Sequence, residues 1–341
     1  MMKKLLGIID ATTHFVGLHE LTSHRSLAAL PLGGRYRLID FVLSSMVNSG
    51  IQSVAIFPKY QYRSLMDHLE SGKNWGLNRK KDGLFFFPSP KLDVLSNGIG
   101  AFASFAANLD YFYKSTQEYA IISNSYTVLN IDFRPILERH IDWGCDITEI
   151  QQNGQSLDMY VIKTSLLITL IESREKTSYT CMKDVVNEMS PYTICTYEYS
   201  GITLKVDSIQ SYYNACMKLL SPPVWEQIFL AEKPIYTKVK DEPPTRYLRE
   251  SSVKHSMVAN GCIIDGTVEN SIIFRGVKIG KNAVIKNSII MQKCTIGENC
   301  NIDSAILDKD VFVEQGTTVI GTSKNPLVIQ KGTVQGALMN S

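Results

Sequence analysis

The chain has 341 residues, 44% of them hydrophobic and 20% charged, which excludes a disordered or collagen-like protein and leaves room for two compact domains. A formal net charge of +2 gives no basis for a nucleic-acid or membrane-binding surface, which needs basic residues clustered on one face. Small molecules and protein partners remain.

The chain begins MMKKLLGIIDATTH, where Asp10 closes a short apolar run. That run is shorter than the ~7–15 residues of a signal peptide or the ~20 of a membrane span, so a cytoplasmic location is expected. The first two thirds then alternate two patterns. Apolar runs at 5–9, 53–57 and 119–122 read as buried parallel strands, and the spacing of Leu38, Phe41, Val42 and Met46 reads as a helix. A helix over 105–113 returns the chain to the strand at 119. Strands at 157–162 and 193–199 and a helix over 208–220 complete a doubly wound, mostly parallel α/β sheet, whose ligands belong at the carboxyl ends of the strands.

Residues 221–247 hold Pro222, Pro223, Pro234, Pro243 and Pro244 and read as an extended connector outside either core. Beyond it the period changes. Ile279, Ile285, Met291, Ile296, Ile302, Leu307, Val313 and Val319 recur about every six residues, with turn formers between them. One inward aliphatic residue per six predicts a left-handed parallel β-helix of hexapeptide repeats, whose faces are open to other subunits. The seven cysteines are scattered and contain no CxxC pair, which predicts reduced, buried thiols. The six histidines form no metal-type spacing and read as structural or solvent-facing.

Several long runs now combine in order: LPLGGRYRLIDFVLSSMVNSGI (30–51), YQYRSLMDHLESGKNWGL (60–77), GAFASFAANLDY (100–111), SLDMYVIKTSLL (156–167), VDSIQSYY (206–213) and the hexapeptide region. Together they resemble the ADP-glucose pyrophosphorylase (glucose-1-phosphate adenylyltransferase) family over nearly the whole chain. The resemblance implies a Rossmann-like nucleotidyltransferase domain at 1–220, a proline-rich linker at 221–247 and a left-handed β-helix at 248–341.

Active members of that family open with a loop of the form LAGGxGxRLxxLTxxRAKPAVPFGG, whose glycines let backbone N–H groups approach the triphosphate and whose cations neutralise the leaving pyrophosphate. Alignment on Leu21-Thr22 and Gly33-Gly34 sets Thr12 and Thr13 at two glycines, Phe15 at the third, Gly17 at the arginine, and Leu27 and Ala28 at the Lys-Pro pair. Tyr126 stands at the first magnesium-binding aspartate. Lys205 stands at the second, with Asp207 displaced by two residues. The segment 100–104 lacks its aspartate, and only QQNGQ separates Ile150 from Ser156 where the sugar-phosphate motif belongs.

These departures resemble the non-catalytic, regulatory companion of the bacterial catalytic subunit. Such a chain joins the catalytic subunit in a heterotetramer and stimulates ADP-glucose synthesis from ATP and glucose 1-phosphate in glycogen biosynthesis. No cofactor is expected of this chain, Mg²⁺ belonging to the catalytic partner. Arg25, Arg35 and Arg37 crowd beside Gly33-Gly34 and are candidates for an anionic effector, a phosphorylated sugar or nucleotide. The alternatives are a solvated basic turn or an intersubunit salt bridge. Two other functions stay open: an active sugar-1-phosphate nucleotidyltransferase with an atypical site, and a hexapeptide-repeat acyltransferase. Against the latter, no histidine base follows His255.

Overall fold

The structure, a computed structural model, describes residues 5–79, 81–89, 98–187 and 190–336. Its first part is built on seven strands: β1 (Leu5–Ala11), β2 (Ser53–Pro58), β3 (Gly83–Phe86), β4 (Tyr119–Asn124), β5 (Ile147–Gln152), β6 (Gln155–Lys163) and β7 (Ile194–Glu198). They lie in the order β7-β5-β6-β4-β1-β2-β3. All pairings are parallel except those of β6, which runs against both β4 and β5. Every residue of β1, β2 and β4 is buried, because helices cover both faces of the sheet; hence these strands read as continuous apolar runs rather than alternating ones.

The exceptional strand has a local cause. Asn153 and Gly154 both have positive φ, 50° and 71°, the two-residue Asn-Gly hairpin turn that reverses the chain between β5 and β6. The QQNGQ segment, short of a sugar-phosphate motif, is therefore a tight hairpin. The helix expected over 105–113 is divided into Phe102–Ala106 and Leu109–Lys114, with Asn108 at the break.

The expectation of seven reduced thiols is corrected at two positions. Parallel pairing sets Cys195 of β7 opposite Thr148 of β5, which brings Cys195 to Cys145 at a Cα–Cα separation of 6.0 Å, and the two form a disulfide within the reach such a bond requires. Cys181, Cys216, Cys262, Cys294 and Cys300 are free and buried.

The proline-rich segment also differs from the extended connector expected of it. Pro222–Ile228 is a helix, since proline is well placed in a first helical turn. Ile228 and Ile235 join the core of the first domain. Lys233 then binds Asp132 at 3.1 Å, and Asn130 donates to the carbonyls of Ile228 and Lys233.

From Arg246 the chain winds into three parallel sheets of six, five and five short strands, forming the left-handed β-helix expected from the hexapeptide period. Ile264, Ile279, Ile296 and Val313 stack inward from one face, Val268, Ile285, Ile302 and Val319 from the second, and Ile273, Ile290, Leu307 and Ile329 from the third. Ser271 and Ser288 bind the backbone of the next coil at 3.1 Å, and Asn270, Asn287 and Asp303 form a corner ladder. Ile272, Ile289 and Ile306 on the third face point outward, yet are buried in the core of the first domain. Met291 belongs to that seam too, so Ile290 rather than Met291 fills the solenoid. The seam is sealed by a hydrogen bond from the Tyr213 hydroxyl to the Asn287 carbonyl at 2.6 Å and by a buried ion pair described below.

Candidate functional site

The carboxyl ends of β1 and β4 and the short pair Thr127–Val128 and Leu204–Lys205 meet where a doubly wound sheet places its ligand. Phe15 and Tyr126, which the family resemblance sets at the third loop glycine and the first metal aspartate, pack edge to face with ring centroids 5.1 Å apart. Tyr126 is only 4% exposed. Its amide and that of Thr127 donate to the Asn124 side-chain oxygen at 3.0 and 2.9 Å, and its hydroxyl donates to Asp158 at 2.9 Å. Burial, followed by the Asp158 carboxylate, raises the phenol's pKa far above its ordinary value, so Tyr126 is a neutral donor. Lys205 lies over the same ring at 5.8 Å, within reach of a cation–π attraction, and 4.0 Å from Asp207.

Asp158 holds φ at 53° within β6, a region few non-glycine residues enter but which aspartate tolerates. Three altered positions thus form one aromatic and ionic plug. A hard divalent cation needs several oxygen ligands held around it. Where the family resemblance expects two carboxylates the chain has a phenol and an ammonium, and the nearby Asp158 and Asp207 already face Tyr126 and Lys205. This donor set does not fit magnesium. Among the described residues, no group of three or more His, Cys, Asp or Glu side chains could hold a metal ion.

The loop before the plug is shaped by a residue that the sequence patterns did not single out for function. Asp10 is fully buried, and its carboxylate accepts from the Thr12 amide at 2.9 Å, the Thr12 hydroxyl at 2.6 Å, the Gly100 amide at 2.7 Å and the Ala101 amide at 3.2 Å. Burial pushes its pKa up against the pull of those four bonds. The anion that these amides face is therefore supplied by the chain itself. Asp10→Ala leaves the Gly100 and Ala101 amides buried without an acceptor; at about 1–3 kcal/mol per orphaned group, the variant is expected to lose about 3 kcal/mol of stability in chemical denaturation.

The other altered positions surround this framework. Thr12 and Thr13 are half-buried in the loop. Gly17 packs near the backbone of Asp207 and Ser208, where an added Cβ would sit 3.7 Å away. Leu27, which the family resemblance sets at a phosphate-binding lysine, lies in a short 3₁₀ turn and is buried in the main core.

The three candidate arginines are not brought to one point. Arg25 is 3% exposed, and its guanidinium grips both oxygens of Asp308 at 2.8 and 2.9 Å while also donating to the Leu21 carbonyl. Arg37 donates to the Ser64 carbonyl and hydroxyl, and burial pulls its pKa down to about 10. Arg35 is exposed, its guanidinium 5.4 Å from the Tyr36 ring centroid, beside a cavity of about 240 Å³ lined by Gly33, Gly34, Trp225, Phe229 and Met257. The cations still act on one another through space: Arg37 feels Arg25 and Arg275, and Lys309 feels both Arg37 and Arg25.

Comparison with known proteins agrees with this architecture. Residues 17–153 match the nucleotidyl transferase family, and residues 243–326 match the GlmU-like C-terminal hexapeptide family. The chain is 57% identical over 339 residues to the glycogen biosynthesis protein GlgD of Bacillus subtilis (strain 168), covering 99% of both chains. It is 59% identical to the protein of the same name from Geobacillus stearothermophilus, covering 100% of both. A glucose-1-phosphate adenylyltransferase of Pseudothermotoga lettingae is 29% identical over 83% of this chain and 77% of its own length.

Proposed function

We propose, from the premise that this chain belongs to the GlgD family of glycogen biosynthesis proteins, that it is a non-catalytic, regulatory subunit of glucose-1-phosphate adenylyltransferase. On this reading it assembles in the cytoplasm with the catalytic subunit as a heterotetramer and stimulates ADP-glucose synthesis. Mg²⁺ is then a requirement of the catalytic subunit alone. The observation that carries the reading is the plug of Phe15, Tyr126 and Lys205. A nucleotidyltransferase must hold a metal-bound polyphosphate and stabilise charge on departing pyrophosphate, and on this reading the three side chains offer instead an aromatic contact and a cation already facing Asp207. Arg35, exposed at the rim of its own cavity, is the arginine of the three best placed to meet an anionic effector. In support of a docked role, two faces of the β-helix keep outward residues such as Lys278, Phe312 and Lys286 exposed.

The test is pyrophosphate release from ATP and glucose 1-phosphate with and without the catalytic subunit. The chain alone is expected to show no turnover above background, and the mixture a higher kcat or a lower KM than the catalytic subunit by itself. Robust turnover by the isolated chain would overturn the proposal, as would a mixture whose kinetics and sedimentation match the catalytic subunit alone.

A further inference from the structure

β7 is the one strand of the first sheet with no buried residue, and it lies at the sheet's edge with β5 as its single neighbour. A strand with few buried apolar contacts opens locally for much less free energy than the whole domain. Its two ends are anchored by different means. At the leading end, the Thr193 carbonyl accepts from the amides of Asp146 and Ile147 at 3.0 and 3.3 Å, the Thr193 amide donates to the Asp146 carboxylate at 2.9 Å, and Cys195 is bonded to Cys145. That bond ties β7 covalently to the turn that follows the helix Arg134–Trp143. Cys145 is 3% exposed, whereas Cys195 is only half-buried. At the trailing end, Tyr199 donates its amide to the Gln151 carbonyl at 2.8 Å and its hydroxyl to the Asn130 carbonyl at 3.3 Å. Gln152 then donates to the Gly201 carbonyl at 2.5 Å and accepts from the Thr203 hydroxyl. These contacts do not involve the disulfide.

We infer that the Cys145–Cys195 pair is a reversible thiol–disulfide site, open to a dithiol reductant at Cys195, that latches the leading end of β7 to the sheet. A thiolate of the reductant attacks the Cys195 Sγ, the bond between the two cysteines breaks, and the Cys145 Sγ leaves with the electron pair and takes up a proton. The second thiol of the reductant displaces Cys195, so the reductant departs as its own disulfide and the chain has gained two electrons and two protons. Opening then runs from Thr193 to Glu198. It stops at Tyr199, where the second set of anchors begins, so Leu204–Lys205 and the plug are left as they are. β5 also stays in place, because β6 pairs with its other side. The site lies at the edge of the first domain, and the inference does not rest on the proposed function.

Hydrogen exchange of the full chain, read by mass spectrometry in oxidised and in reduced dithiothreitol, tests it. Reduction is expected to speed exchange across residues 193–198 about tenfold, to leave 204–205 unchanged, and to be reversed by oxidised dithiothreitol. Iodoacetamide added to the partly reduced, folded chain is expected to label Cys195 before Cys145. Cys195→Ser is expected to exchange like the reduced chain with or without reductant, and its Tm to lie about 5 °C below that of the oxidised chain. Four outcomes would overturn the inference: free thiols at both cysteines after treatment with oxidised dithiothreitol, equal exchange at 193–198 in the two states, acceleration spread through the whole first domain, or labelling of Cys145 first. If Cys195→Ser does not fold, the native chain compared in the two buffers decides the matter.

Discussion

Replacing Arg25 by Ala is expected to lower the stability of the folded chain by about 3–5 kcal/mol, the range for breaking a buried ion pair from one side. The two side chains are 3% and 2% exposed, and they join the end of the first loop to the coil after Leu307 across 283 residues of sequence. The substitution leaves the Asp308 carboxylate in the seam without its bidentate partner, held by the Lys309 amide at 2.7 Å. The double variant Arg25→Met with Asp308→Leu removes both charges and is expected to lose less than the single variant, because neither group is then buried alone. Denaturant unfolding followed by intrinsic fluorescence checks both. A loss below about 1 kcal/mol in the single variant would show that Asp308 finds other solvation and that the pair is not what couples the domains. A separate β-helix transition in Arg25→Ala would show the coupling directly.

The same pair marks a boundary of what the sequence makes legible. Crowding of Arg25, Arg35 and Arg37 along thirteen positions is compatible with a common anion site, a solvated turn or an intersubunit salt bridge, and the pair within the chain between Arg25 and Asp308 is none of these. Proximity in sequence does not dictate convergence, because a turn and the β-structure at Tyr36 and Arg37 send successive side chains apart. Arg25 has its partner in the other domain, which no local pattern displays. The disulfide was hidden for a related reason: Cys145 and Cys195 are separated by 50 residues, and only the parallel register of β5 and β7 sets them side by side. Asp10 looked like the end of an apolar run, since its value lies in amides ninety positions away.

Periodic features fared better. Buried strands and hexapeptide coils repeat one environment many times, so Ile279, Ile285, Ile296, Ile302 and Val313 all point where the six-residue spacing puts them. Met291 shows the limit, because side chains alternate along a strand and a shift of one residue moves a side chain to the opposite face. Here the outward face is also apolar, since the first domain covers it, and the pattern alone could not separate Ile290 from Met291. The family resemblance marks the altered site only as a set of departures from an expected motif. That Phe15 and Lys205 both meet the Tyr126 ring was not legible there, and these contacts tie the separate substitutions together around one side chain.

Lys309 carries the second large effect, and its sign follows from its surroundings. Burial, then Arg37 and Arg25, pull its pKa from 10.5 down to about 7, with Asp308 opposing and Lys331 adding to the fall. An unfolded chain holds the proton up to about pH 10.5, whereas the folded chain releases it near 7. Below pH 7 both states are protonated, and the folded state bears the whole cost of a charged ammonium among arginines. As pH rises from 7 toward 10.5 that cost fades, so stability climbs across this window in the native chain. Lys309→Met removes the ammonium and keeps much of the packing. It is expected to be more stable than the native chain by about 2–4 kcal/mol at pH 6, discounting the shift for partial exposure, with the gain shrinking toward pH 10. Denaturation midpoints measured at pH 6, 8 and 10 check the slope, and a gain that is constant across the three would assign the effect to packing instead. A seam that stores unbalanced positive charge in this way is stabilised by whatever brings an anion to it.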